Sequence, residues 1–339
     1  MNTVLDSESI DFAVINGDLL DRNSTFRVNR TAYIDQLLQP LIEHNLTWGS
    51  TYGNHDHTVN TSAKMILDTE QKHDGCRTKQ MVFGREIGVA NYYLPVYSAD
   101  NEDENAVPEL LIWFFDSRGG FYYGEHKADG SFVEQPSWVD AKVATWFQQT
   151  NAQLVKQYGK IVPAIAFTHI PVNVFEAYGV KVGIDANLQP GINDTMPMAQ
   201  QSYGFCANGT YSSRCDYGGQ DIPFMQAVAE TEGLLALFSA HEHGNTWCYK
   251  WDRKIPGMTI EGSEVNLCFG QHTGYGGAGD WIRGARQVLI APSEDGKLGI
   301  ETWIRLENEG VVGAVSLNAT YGQDRYPATP NDKTYLPTA

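Results

Sequence analysis

Residues 11–18 read Asp-Phe-Ala-Val-Ile-Asn-Gly-Asp (DFAVINGD). Apolar, β-favouring residues from Asp11 to Asn16 stop at Gly17, which is the signature of a short buried parallel strand delivering Asp18 at its carboxyl end. Downstream, Tyr33 to His44 has helical spacing, with Ile34, Leu37, Leu38, Leu41 and Ile42 on one face. Leu46 to Tyr52 reads as a second strand and ends at Gly53-Asn54-His55-Asp56. The same grammar returns at Glu109–Asp116 (ELLIWFFD), Val162–His169 and Leu234–His241, each run stopping at a polar or metal-binding type of residue. Open α/β sheets build their sites in this way, at the carboxyl ends of strands.

After the last of these runs, Trp247–Trp251, Met258–Ile260, Val265–Phe269, Gln287–Ala291 and Leu298–Leu306 read as shorter antiparallel strands. Helices interleaved with the first strands and an all-β second half predict an α/β protein of two mixed sheets with helices outside, a four-layer α/β/β/α sandwich. No internal repeat or linker breaks the chain, only long loops at Asp100–Pro108 and Gly183–Gly219, so residues 1–339 are expected to form a single domain. The aromatic residues Trp113, Phe114, Phe115, Tyr122 and Tyr123 are expected to pack in the core and loops.

A chain of 339 residues, 42% hydrophobic and 12% aromatic, can bury a large core. Its formal net charge of −17 repels polyanions and argues against nucleic acid or an acidic membrane surface as partner. A small anionic substrate remains compatible, because bound metal ions invert the local potential. No apolar stretch is long enough to span a membrane. Asn23, Asn29, Asn45, Asn60, Asn193, Asn208 and Asn318 each begin an Asn-x-Ser/Thr sequon, which with five cysteines suggests a secreted or vacuolar glycoprotein. Cys206 and Cys215 lie in one loop and could bridge locally. Cys248 and Cys268 lie in strand-like runs that could be neighbours, and Cys76 is left over. The first twenty residues lack the pattern of a signal peptide.

Four segments carry metal-competent residues at strand ends: Gly17-Asp18-Leu19-Leu20-Asp21, Gly53-Asn54-His55-Asp56, Thr168-His169 and His241-Glu242-His243. Two ions a few ångströms apart need a shared carboxylate, with hard or borderline ligands around them. Asp18 is the natural bridge. Asn54, His169 and His241 would complete the protein shell of one ion, and His243 can point to a second. His55, beside a ligand without being one, can hold a proton for a departing alkoxide or stabilise charge on the transferring group. Asp21 would fix its tautomer. Arg22 either reaches the phosphate or faces solvent.

The ordered set resembles the calcineurin-like metallophosphoesterase family, whose pattern runs D-x-H, GDxxD, GNH[DE], a lone His, then GHxH. Segments such as FFDSRGGFYYG, AFTHIPVN, YGGQDIPFMQA and CFGQHTGYGGAGDW resemble its fungal Dcr2-type and purple-acid-phosphatase-like branch. The resemblance implies Asp18 as bridging ligand, Asn54, His169 and His241 on one metal, His243 on the other, and His55 with Asp21 beside the phosphate. It further implies two ions of zinc, manganese or iron and hydrolysis of a phosphate monoester by metal-activated hydroxide. With Asp21 where purple acid phosphatases carry a tyrosine, no purple colour is expected. The resemblance also places His272 and Arg283, in the glycine-rich stretch Gly270–Gly284, close to the site as candidates to touch substrate. The alternative there is a tight loop after a strand.

Two departures qualify the reading. The glycine of GHxH is Ala240, a change expected to leave the ligands in place. No D-x-H precedes Gly17, so the expectation is a chain that begins downstream of a longer protein's start. An empty position in the central sheet would follow, with a second ion held by Asp18 and His243 alone. The functional alternatives are a phosphodiesterase or nucleotidase of the same family, or a secreted glycoprotein that binds a ligand without turnover.

Overall fold

The computed structural model describes residues 1–21, 30–99, 106–292 and 298–334. In chain order the elements are α1 (Asn2–Ser7), β1 (Phe12–Asn16), α2 (Arg30–Glu43), β2 (Thr47–Thr51), α3 (Ala63–Glu70), β3 (Tyr92–Val96), β4 (Leu110–Phe115), β5 (Phe121–His126) and β6 (Phe132–Glu134). There follow α4 (Ala141–Tyr158), β7 (Ala164–Thr168), α5 (Asn173–Lys181), α6 (Ile222–Glu230), β8 (Leu234–Ser239), β9 (Cys248–Trp251), β10 (Val265–Phe269), β11 (Gly284–Pro292), β12 (Leu298–Leu306) and β13 (Val311–Ser316).

A six-stranded mixed sheet in the order β3-β4-β7-β8-β10-β9 forms the centre. Its inner four strands run parallel, and β3 and β9 pair antiparallel at the edges. Strand β4 explains the layering. Leu111, Trp113 and Phe115 join one apolar cluster with Phe147 of α4, Phe175 of α5 and Phe224 of α6. Leu110, Ile112 and Phe114 alternate into the other, with Trp48 of β2, Ile300 of β12 and Val315 of β13. The period of two therefore buries both faces, one under helices and one under a second layer of strands.

That second layer contains the parallel pair β1-β2 and the antiparallel set β11-β12-β13. Trp48, Ser50 and Tyr52 point from the same side of β2 to the buried carboxylate of Glu70 on α3, donating at 3.1, 2.6 and 2.6 Å. Between them Gly49 faces the opposite sheet, where a Cβ would lie 2.9 Å from the ring of Phe114 and from the hydroxyl of Tyr92. Ile34, Leu38 and Leu41 of α2 and Ile66 and Leu67 of α3 close the outside. The result is the α/β/β/α arrangement expected from the sequence. Among the described residues, β1 pairs only with β2 and β11 only with β12. Strand β1 is apolar yet only half-buried along its length.

Met258–Ile260 is not a strand. It lies in an irregular segment, with Met258 and Ile260 packed as single side chains against the core. Two disulfides form, Cys206–Cys215 and Cys248–Cys268, the latter across directly opposed positions of β9 and β10. Cys76 is a half-buried free thiol. No helix among the described residues is long and apolar enough to cross a membrane.

Candidate metal centre

Strand β1 ends at Asn16, and the chain turns through two left-handed residues, Gly17 (φ 85) and Asp18 (φ 52). The ring of His169, one residue past β7, passes close by. A Cβ on Gly17 would lie 2.5 Å from His169 Nδ1, and one on Gly53 would land on Asp18 Oδ1 and the same imidazole. Both glycines are thus dictated by the approach of one histidine. His169 Nδ1 donates to the carbonyl of Asn16 at 2.7 Å, which leaves Nε2 facing Asp18 Oδ2 at 3.0 Å. His241, two residues past β8, brings Nδ1 to 3.3 Å from His169 Nε2. Donor atoms of Asp18, His169 and His241 all lie within 4.8 Å of one another, and they form the sole such group among the described residues.

Asp18 and His241 (φ 69) are both non-glycine residues in the left-handed region. Such conformations cost on the order of 1–3 kcal/mol and concentrate at functional sites. Ala240 escapes this strain, because the left-handed position in its turn belongs to His241. Its N–H donates to His169 O at 2.9 Å, tying the two histidine segments together.

The Gly53–Asp56 loop closes the site from β2. His55 N–H donates to Asp18 Oδ1 at 2.8 Å. Asn54 Oδ1 is buried without any hydrogen-bond partner, an arrangement that is costly unless an electropositive group completes it. The imidazole of His55 is partly exposed, with Nδ1 3.6 Å from Asp21 Oδ1 and 4.0 Å from Asp18 Oδ2. Asp56 accepts from Gly53 N–H at 2.9 Å and from Leu20 N–H at 3.4 Å, joining this loop to the Asp18 loop.

Burial would raise the Asp18 carboxyl, but the neighbouring imidazoles of His169, His55 and His241 hold it well below the usual carboxylate range. Burial, with His169 beside it, drives His241 down to about 3, so its ring is a neutral electron-pair donor at physiological pH. Asp56, buried next to the Asp18 charge, is pushed up to about 7. Burial would lower the His169 imidazole, but the Asp18 carboxylate beside it raises it, so a bound cation would take the place of a proton there. One ionised carboxylate, the imidazoles of His169 and His241 and an unpaired amide oxygen form a donor set that suits a divalent cation of borderline hardness.

Of the other residues singled out in the sequence, His243 and His272 lie together beyond this group, their rings stacked with centroids 3.8 Å apart. Arg283 is 2% exposed, and its guanidinium donates to the carbonyls of Trp281 and Gly279, so it scaffolds its own loop. Arg22, Asn23 and Asn29 lie outside the described residues.

Sequence reasoning missed a buried support beneath the Asn54 loop. His57 Nε2 meets Asp116 Oδ1 at 3.0 Å, and Asp116 also accepts from Val89 and Arg118 N–H at 2.7 and 2.8 Å. Phe121 N–H donates to His57 O at 2.9 Å. Asp116 at the end of an apolar strand was the available signal, but nothing local linked it to His57.

The calcineurin-like phosphoesterase family matches over residues 1–245. Among solved structures, a dimetal phosphatase from Danio rerio is similar, with a TM-score of 0.52 and 10% identity over 91% of this chain and 84% of that one. At that identity the likeness speaks for the fold alone. No curated protein matches the chain.

Proposed function

Because the chain belongs to the calcineurin-like phosphoesterase family, whose chemistry is metal-dependent cleavage of phosphoesters, we propose that it hydrolyses a phosphate monoester at the Asp18 centre. The observation that carries this reading is the convergence of Asp18, His169 and His241 beside the orphaned oxygen of Asn54. These four residues would hold one ion, and Asp18 with His243 would hold a second. Zinc, manganese and iron all suit such ligands. When bound, the ions supply the acidity that makes water nucleophilic near neutral pH and the positive charge that the transferring group needs.

The chain's own residues supply the rest. Asn16 O and Ala240 N–H fix the ring and the backbone of His169, so its Nε2 has one direction available. His55 stands at the open side of the site and delivers a proton to the departing alkoxide oxygen. Asp21, 3.6 Å from its Nδ1, keeps that ring oriented.

The test is turnover of p-nitrophenyl phosphate against bis-p-nitrophenyl phosphate, with zinc or manganese added. Faster turnover of the monoester is expected, and preference for the diester would move the chain to the phosphodiesterase reading. Binding without turnover is the second reading, favoured by the thin protein shell of the second ion, to which only Asp18 and His243 are assigned. A protein holding at most one ion and inert toward both substrates would establish it.

Membership of the fungal Dcr2-type branch and residence in the secretory pathway or vacuole belong to the same proposal. Two disulfides, and exposed side chains at Asn45, Asn60, Asn193, Asn208 and Asn318, support it. A loss of mass on endoglycosidase treatment of the protein from a eukaryotic host is the expected result. An unchanged mass would count against glycosylation.

A further inference from the structure

The segment from Gln271 to Gly284 joins β10 to β11 and is tied at its base. Gln271 Nε2 donates to Ile282 O at 2.6 Å and Thr273 Oγ1 to Gly284 O at 2.7 Å. Inside the loop, buried Arg283 donates to the carbonyls of Trp281 at 2.5 Å and Gly279 at 3.1 Å. Trp281 covers Gly279, where any Cβ would land on the indole, and its Nε1 donates to Asp194 Oδ2 at 2.8 Å. So many glycines would ordinarily leave a loop adaptable, but here side chains hold the backbone at both ends and in the middle.

This fixed backbone meets His243 on three sides. Ala278 O lies 2.7 Å from His243 Nδ1. A carbonyl can only accept, so Nδ1 carries the proton and Nε2 keeps its electron pair. Gly277, at φ 76, comes so close that a Cβ would be 2.9 Å from His243 Cε1. His272 stacks on the ring, 3.8 Å between centroids and 27° between planes.

We infer that the Gln271–Gly284 segment is a rigid strap that sets the tautomer and direction of His243, with Ala278 O, Gly277 and His272 as positioning residues for it. The inference rests on the reading of His243 as a ligand of the second ion. Its chemical content is that the strap presents Nε2 to that ion, replacing part of the order that a richer protein shell would impose. Partners that orient a ligating histidine are worth about 10–100-fold in metal affinity.

The experiment has two parts. In the metal-free full chain, long-range nitrogen–proton NMR of the histidine rings, assigned with His243→Asn, is expected to show His243 protonated on Nδ1. Zinc binding is then followed by elemental mass spectrometry across a free-zinc series for wild type, Gly277→Ala and His272→Ala. Wild type is expected to take up two ions. In Gly277→Ala the second is expected to bind 10–100-fold more weakly with the first unchanged, and His272→Phe, which keeps a stacked ring, is expected to recover most of what His272→Ala loses. A wild-type His243 protonated on Nε2, or unaltered second-ion binding in a folded Gly277→Ala, overturns the strap. A wild type without a second zinc overturns the ligand reading instead, and the metal-free spectrum still decides whether the strap sets the tautomer.

Discussion

The His169 imidazole lies so close to Gly17 and Gly53 that a single methyl group on either glycine displaces a donor. Gly17→Ala adds that methyl at a φ of 85, where an alanine is strained as well. The expected outcome is a folded protein whose first-ion affinity falls about 10–100-fold, read by zinc titration. His55→Ala should act differently. Its ring is outside the ligand set, so metal content should stay at the wild-type level while kcat falls by about 100- to 10,000-fold. Equal loss of metal and kcat would make His55 a structural residue. At this scale Asp18, His169 and His241 were legible in the sequence because each follows an apolar run that ends abruptly, and Asn54 because Gly53-Asn54-His55-Asp56 closes the strand-like run Leu46–Tyr52. Ala278 O and Asn16 O were not legible, since a backbone carbonyl leaves no trace in residue type.

Elements carry the site through pairs that join segments distant in the chain. The His57–Asp116 pair fastens the Asn54 loop to the end of β4 and is almost fully excluded from water. Asp116→Asn removes the negative charge from that pair and should cost about 3–5 kcal/mol in urea denaturation. A second junction links α5 to α6, where Asp221 accepts from Asn173 N–H at 2.8 Å and from the Tyr217 hydroxyl. Burial pushes this carboxyl up to about 7 from 3.8. The folded state thus keeps a proton that the unfolded chain releases near pH 4. Stability from this group is full at acid pH and is lost as pH rises toward 7. Asp221→Asn is expected to flatten that fall, measured by denaturation between pH 4.5 and 7.5. Strands β4, β7, β8 and β10 were readable because both faces of the central sheet are largely apolar, and β1 and β2 because each strand-like run ends at a glycine followed by metal-competent residues. The β5–β6 hairpin was not, as it is half-exposed and lacks a continuous apolar run. Strand β13 was missed despite its run of valines, because Gly313 interrupts a short strand whose residues alternate between exposed and buried. Met258–Ile260 failed for the converse reason, its apolar residues being anchors of an irregular segment.

Over the whole molecule, two strand layers converge on one edge where the ends of β1, β2, β7 and β8 bring acidic, amide and imidazole donors together. An acidic chain of net charge −17 gains from cations there, both in substrate attraction and in stability. Stabilisation by a bound ion follows its concentration, reaching about 2.7 kcal/mol at 100 times Kd. Removing metal by chelation should therefore lower the melting temperature, and adding zinc or manganese should restore it. The β/β interior was predictable from strand periodicity, whereas which strands stand at an edge, as β1 and β11 do among the described residues, is set by the pairing of strands in space. The most direct measurement is the number of metal ions per chain, by elemental mass spectrometry, in wild type and Asp18→Asn prepared side by side with p-nitrophenyl phosphate turnover recorded on the same samples. The expected result is two ions and turnover in wild type, with both ions weakened and turnover abolished in the variant. Full metal content and activity in Asp18→Asn would contradict the assignment of Asp18 as the shared ligand and, with it, the centre built around that residue.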